Sequence, residues 1–310
     1  MVITVIDSFP EDFIQALQAL PVTVQYLPEA QRGDILPQLA ETEILVLNSK
    51  IKVDREAIDA APKLRLVLRA GVGLDHVDVD YLREKDIEAY NTAGANADAV
   101  AEQTVGMLLS LRHHLRRADQ QVRQFSWQRE ANRGHEIKGH TVGLIGYGHT
   151  GKAVARRLSG FQPRVLAYDK YLSGYGEIFA AQASPEQIFQ HADVLSLHVP
   201  LTAETHEMVD LAYLEQFQKP IYLLNLARGP IVKLPDLLDA LEQGLVLGAA
   251  LDVLPNEKFD TLTSEEKDLY QRLFDRDDVL LSPHIGGWTV ESRQNINQAL
   301  LKQCSLFIGH

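Results

Sequence analysis

A chain of 310 residues is long enough for two domains, each with its own core. Hydrophobic residues are 45% and charged residues 23%, ordinary for a globular protein, and the net charge is -12 with a pI near 5.4. So acidic a molecule repels polyanions, which weighs against nucleic acid and anionic membrane as partners, though not against a small anionic substrate held by local cations.

Cys304 is the one cysteine, so no intrachain disulfide can form; no Cys/His cluster has zinc-ligand spacing, and no metal is expected. The opening run Met1 to Asp7 reads as a strand rather than a signal peptide. Apolar runs stay far below the ~20 residues that cross a bilayer. A cytoplasmic protein is the expectation.

Short apolar, β-branched runs alternate with amphipathic stretches along the whole chain. Strands are predicted at Val2 to Ile6, Val22 to Leu27, Ile44 to Leu47, Leu66 to Leu68 and Ile87 to Tyr90. Helices are predicted between them, as at Pro10 to Leu20, Asp54 to Ala60 and Val79 to Lys85. One long helix is predicted from about Ala97 to Phe125, then a polar segment to Lys138. Strands resume at Thr141 to Ile145, Arg164 to Tyr168, Asp193 to Leu197, Ile221 to Leu224, Leu247 to Leu251 and Val279 to Leu281, and Trp288 to Ile308 is a closing helix. Runs this apolar are covered on both faces, as in parallel sheets with helical crossovers. The pattern predicts two α/β domains.

The strongest local signal is Gly146-Tyr147-Gly148-His149-Thr150-Gly151, a G-x-G-x-x-G between an apolar strand and a helical run. Gly146 permits a tight turn, Gly148 lets backbone approach a pyrophosphate, and Gly151 lets helix and strand pack closely. The free N–H groups of the helix start would take the phosphate charge. Asp169 ends the next strand about 20 residues on, where an acid bonds the ribose hydroxyls and repels a 2′-phosphate. The expected cofactor is therefore NAD rather than NADP, with Lys170 as a local complication.

Polar residues follow three later strands: Arg228 after Leu224, Asp252 and Glu257 after Leu251, and His284 in Ser282-Pro283-His284-Ile285-Gly286-Gly287. Ligands of open parallel sheets bind beyond the carboxyl ends of the strands, so these segments are expected to converge. Hydride transfer from an alcohol needs a base, which a neutral imidazole supplies. A carboxylate on its second nitrogen fixes the tautomer, and an Arg holds a substrate carboxylate or polarises a carbonyl.

Together with the loop Arg69-Ala70-Gly71-Val72-Gly73-Leu74-Asp75 and the segment Asn91-Thr92-Ala93-Gly94-Ala95-Asn96, these residues resemble the D-isomer-specific 2-hydroxyacid dehydrogenase family. The likeness is greatest to its short phosphoglycerate-dehydrogenase-like members. It implies two doubly wound, Rossmann-like domains with the active site in the cleft between them. Residues 1–97 with 287–310 would bind substrate, and residues 98–286 would bind NAD. It also implies that Arg228, Glu257 and His284 are catalytic, and that Val72, Gly73 and Arg228 bind substrate. Gly146, Gly148, His149, Thr150, Gly151, Asp169, Val199, Leu226, Ala227, Asp252, Gly286 and Gly287 would line the cofactor.

His76 and Ala93 depart from the family's usual Asn and Pro. The resemblance further implies a small D-2-hydroxy acid substrate, with a phosphoglycerate-like molecule the leading expectation. Lys50 or Lys52 would be its phosphate contact, although Asn48 stands where phosphate-binding members carry Arg. A homodimer is expected, with Trp127 at its interface and Arg129 reaching across it. The alternative is a corepressor-like regulatory protein that senses NAD on the same scaffold.

Overall fold

The computed structural model describes residues 1–175 and 178–309. It divides into two compact units, Met1–Asn96 with Val290–His310, and Ala97–Thr289.

In the first unit the strands are β1 (Val2–Val5), β2 (Thr23–Tyr26), β3 (Ile44–Leu47), β4 (Leu66–Arg69) and β5 (Glu88–Asn91). They form a parallel sheet of order β2-β1-β3-β4-β5. Alternate side chains enter cores on opposite faces: Leu45, Leu47 and Val67 on one, and Ile3, Val5, Val46, Leu66 and Leu68 on the other. Asp54 and Asp78 start the helices Arg55–Asp59 and Val79–Glu84, accepting the N–H groups of Ala57 and Tyr81. The closing helix Val290–Ile308 packs on Glu11–Gln18 and buries Leu300 and Cys304 in the second of these cores.

In the second unit the strands are β6 (Thr141–Ile145), β7 (Arg164–Tyr168), β8 (Ala181–Gln182), β9 (Val194–Leu197), β10 (Ile221–Asn225), β11 (Val246–Leu251) and β12 (Val279–Leu281). All pair in parallel in the order β12-β11-β10-β9-β6-β7-β8. Chain order reverses between β6 and β9, and a doubly wound sheet opens its ligand crevice at such a point. β8 is two residues long and has no counterpart among the predicted strands.

The single long helix expected over Ala97 to Phe125 is instead two, Ala97–Arg112 and Leu115–Arg123. His114 between them takes a left-handed backbone, φ 53°. The cause lies further along the chain. The His135 N–H takes the Arg112 carbonyl at 3.0 Å, and the Arg112 guanidinium donates to the carbonyls of His135 and Glu136. Gly134 permits the approach, since a Cβ there would lie 2.5 Å from the Arg112 oxygen. The segment beyond leaves Leu115, Val122, Phe125 and Trp127 exposed on this chain.

Among the described residues no helix is long and apolar enough to cross a membrane.

Candidate active site

The glycine loop follows β6 at the order reversal. Gly146 has φ +94°, and a Cβ on it would lie 2.4 Å from the His198 carbonyl oxygen. One on Gly151 would lie 2.2 Å from the Gly146 oxygen. Neither position accepts a side chain. At Gly148 nothing lies within 4 Å, so backbone is open there to an incoming group, and the helix His149–Leu158 begins at the next residue. Val199 lines the opposite wall, its Cγ1 3.0 Å from the Cβ site of Gly146.

Asp169 closes one end of the crevice. Its Oδ2 accepts the Tyr147 N–H at 2.8 Å, and Oδ1 accepts those of Tyr171 and Leu172 at 3.0 and 3.1 Å. A carboxylate has about four acceptor sites, so one remains for a ribose hydroxyl. Backbone N–H groups at a helix start, a side-chain-free approach and an acid one strand away fit a dinucleotide.

The other end is built from the strands β10, β11 and β12, whose register sets Asn225 beside Leu251 and Leu251 beside Leu281. Their carboxyl ends are level, so the loops that follow meet. Asn225 is buried and shapes the first loop: its amide donates to the Arg228 carbonyl at 2.9 Å, and its Oδ1 accepts the Ala227 N–H. The Arg228 guanidinium donates to the Ala227 carbonyl at 2.8 Å. At Gly229 a Cβ would lie 2.0 Å from the Leu254 carbonyl, so this loop lies directly on the one that carries Glu257.

Asp252 is buried and organises the third loop. Oδ1 accepts from Gln103 Nε2 (2.9 Å), Ser282 Oγ (2.5 Å) and the Ile285 N–H (2.9 Å), while Oδ2 accepts the Gly286 N–H (2.7 Å). The Asp252 carbonyl takes the His284 N–H at 2.7 Å. His284 is thereby held at φ 55°, a conformation that costs a non-glycine residue on the order of 1–3 kcal/mol and persists where its surroundings fix it. The result is a hydrogen bond of 2.9 Å between His284 Nδ1 and Glu257 Oε2, both side chains about half exposed. An ionised carboxylate only accepts, so Nδ1 carries the proton and Nε2 is left as a base.

Residues 105–286 match the family described as D-isomer specific 2-hydroxyacid dehydrogenase, NAD binding domain. The chain belongs to this family. A hydroxypyruvate reductase of Thermotoga maritima is 30% identical over 98% of this chain and 96% of its own. A D-3-phosphoglycerate dehydrogenase of Mycobacterium tuberculosis is 34% identical over 88% of this chain but 50% of its own. The crystal structure of a D-lactate dehydrogenase from Aquifex aeolicus, complexed with NAD and lactic acid, superposes with a TM-score of 0.87. It is 27% identical and covers 100% of this chain and 96% of that one.

As a D-2-hydroxyacid dehydrogenase, the protein takes NAD as its cofactor. In the second unit Gly146, Gly148, His149, Thr150 and Gly151 follow β6, Asp169 follows β7 and Val199 follows β9, while Leu226, Ala227, Arg228, Asp252, Glu257, His284, Gly286 and Gly287 follow its later strands. Val72 and Gly73 lie in the first unit, after β4. Asn91 Nδ2 donates to the Val72 carbonyl, and among the described residues the N–H groups of Val72 and Gly73 have no intramolecular acceptor.

Sequence reasoning passed over Asn225, Gly229, Ser282, Gln103 and His198. Ser282 sits inside a motif already quoted, Asn225 and Gly229 lie close beside Arg228, and a polar residue ending a buried strand was the available sign for Asn225. Gln103 is 149 positions from Asp252 and has no such sign. His198 follows β9 with its Nε2 2.9 Å from Ser196 Oγ, and desolvation of the partly buried imidazole lowers its pKa to about 4, so it is neutral.

Proposed function

We propose that the protein interconverts a small, unphosphorylated 2-keto acid and its D-2-hydroxy acid, with hydroxypyruvate the first choice of substrate. The observation that carries the reading is the His284–Glu257 pair, whose Nε2 has no partner among the described residues, at the same carboxyl end of the sheet as Arg228. In oxidation His284 Nε2 takes the hydroxyl proton, and Glu257 stabilises the imidazolium that results. In reduction the imidazolium returns that proton to the carbonyl oxygen. Arg228 holds the substrate carboxylate and draws electron density from the carbonyl. NAD supplies the hydride acceptor when bound.

Two observations favour an unphosphorylated substrate over the phosphoglycerate-like one expected from sequence. The Lys50 ammonium donates to the Pro28 carbonyl. The hydroxypyruvate reductase matches along nearly its whole length, whereas the phosphoglycerate dehydrogenase matches over half of its own. We also read the exposed Leu115, Val122, Phe125 and Trp127 as a homodimer face.

The test is NADH oxidation with hydroxypyruvate, glyoxylate, pyruvate and phosphohydroxypyruvate. The highest kcat/KM is expected for hydroxypyruvate. A higher value for phosphohydroxypyruvate would overturn the substrate choice, and no turnover of any of the four would overturn the enzymatic reading.

A further inference from the structure

Lys170 follows Asp169 directly, at the end of the crevice where the adenosine ribose is expected. A lysine there would ordinarily invite a 2′-phosphate, against the discrimination that Asp169 gives. In the structure its Nζ donates to Glu204 Oε2 at 2.8 Å. The Tyr171 phenol donates to the same oxygen, also at 2.8 Å, and the ammonium lies 5.6 Å from the Tyr171 ring centroid.

Glu204 comes from the loop after β9, across β6 from Lys170. Its turn is fixed by Thr205, whose hydroxyl accepts the Thr202 N–H at 2.8 Å and donates to the Pro200 carbonyl at 2.6 Å. Hydrogen bonding between them raises the Lys170 ammonium pKa and holds the Glu204 carboxyl below its usual range, so both stay ionised near neutrality. Both side chains are more than half exposed, and such a pair adds little to stability. What it does change is the local charge. With Asp169 and Glu204 on either side of Lys170, the cluster is net negative where a 2′-phosphate would have to sit.

We propose that Glu204 is a second determinant of NAD over NADP, acting through Lys170 by engaging the ammonium that a 2′-phosphate would otherwise recruit. The proposal rests on the reading of Asp169 as the ribose-binding acid. Glu204 is a positioning residue here, and its effect depends on Asp169. While Asp169 is present its charge repels the phosphate even from a released lysine; once it is replaced, Lys170 becomes decisive.

The experiment titrates NADH and NADPH against the full chain by ligand fluorescence, at low and high salt, for four variants. These are Asp169→Ser, Glu204→Gln, the double substitution, and the double with Lys170→Met. In the Asp169→Ser background, Glu204→Gln should tighten NADPH on the order of tenfold, the size of one charge-assisted contact. That gain should exceed the one it gives in the parent, fade at high salt, and vanish with Lys170→Met. Equal NADPH constants for the single Asp169 variant and the double, or a gain that survives Lys170→Met, would overturn the proposal alone. If Asp169→Ser leaves both cofactor constants unchanged, the ribose reading falls and takes this proposal with it.

Discussion

His284 and Arg228 follow β12 and β10, yet the chemistry proposed for them predicts different kinetic signatures. In the proposed reaction His284 acts on a proton in flight and contributes little to holding ligands. His284→Asn should lower kcat by roughly 10²–10⁴-fold, the usual worth of a positioned acid–base, while NADH still binds. In the same proposal Arg228 contacts charge in both ground and transition states. Arg228→Ala should raise KM and lower kcat together, a loss of about 1.5–3 kcal/mol in transition-state binding for one charge-assisted contact. Steady-state kinetics with NADH titration separates the two. Near-normal kcat in the His284 variant would remove it from the proton-transfer step. Asp252 acts through backbone instead. With four donors on its carboxylate, it positions the loop that aims His284.

At the scale of elements, β9 ends directly before a partly buried base, His198. His198 is neutral in the folded chain with a pKa of about 4, against an ordinary 6.5 when unfolded. Between these values the unfolded chain binds a proton that the folded chain does not, so stability is full above pH 6.5 and falls as pH drops toward 4. The integrated loss is about 3 kcal/mol, with no further loss from this group below pH 4. Asp193 has the same sign but a lower window: despite burial, the Lys219 ammonium and the Thr141 N–H hold its carboxyl below the usual range. Urea unfolding at pH 7 and pH 4.5 should therefore show a fall in stability that His198→Gln largely removes. An equal fall in the variant would exclude His198 as its source.

The elements also differ in how far the sequence foretells them. Strands β3, β6, β7 and β12 run where the apolar runs lie, because each run is bounded by polar, glycine or proline residues. The placing of Arg228, Asp252 and His284 after β10, β11 and β12 was legible for the same reason, since a polar residue directly after a buried strand stands where the sheet ends. The break at His114 was not, for it depends on a carbonyl captured by His135 from within the polar segment. Nor was the support of Asp252 by Gln103, which only the packed helix Ala97–Arg112 brings near. Local pattern carries periodicity and punctuation, whereas contacts between distant segments leave no periodic trace.

For the molecule as a whole, the exposed apolar residues of 115–127 bear on assembly. Phe125 is fully exposed and Trp127 76% exposed on the single chain, more than isolated aromatics in water account for. The homodimer reading predicts that the protein sediments as a dimer and that Phe125→Ser with Trp127→Ser sediments as a monomer. Mixing inactive Arg129→Ala and His284→Asn proteins should restore activity if Arg129 serves the partner's site. A monomeric parent protein would refute the reading.

The two units differ in how the chain supplies them. The second is one continuous stretch, while the first is begun by residues 1–96 and completed only when residues from 290 onward return to it. During synthesis the nucleotide-binding sheet can therefore close while the earlier sheet still lacks Leu300 and Cys304 against Ile3 and Phe13. The half that emerges first from the ribosome is the last to mature, and until then it waits with an open hydrophobic flank for its final helix.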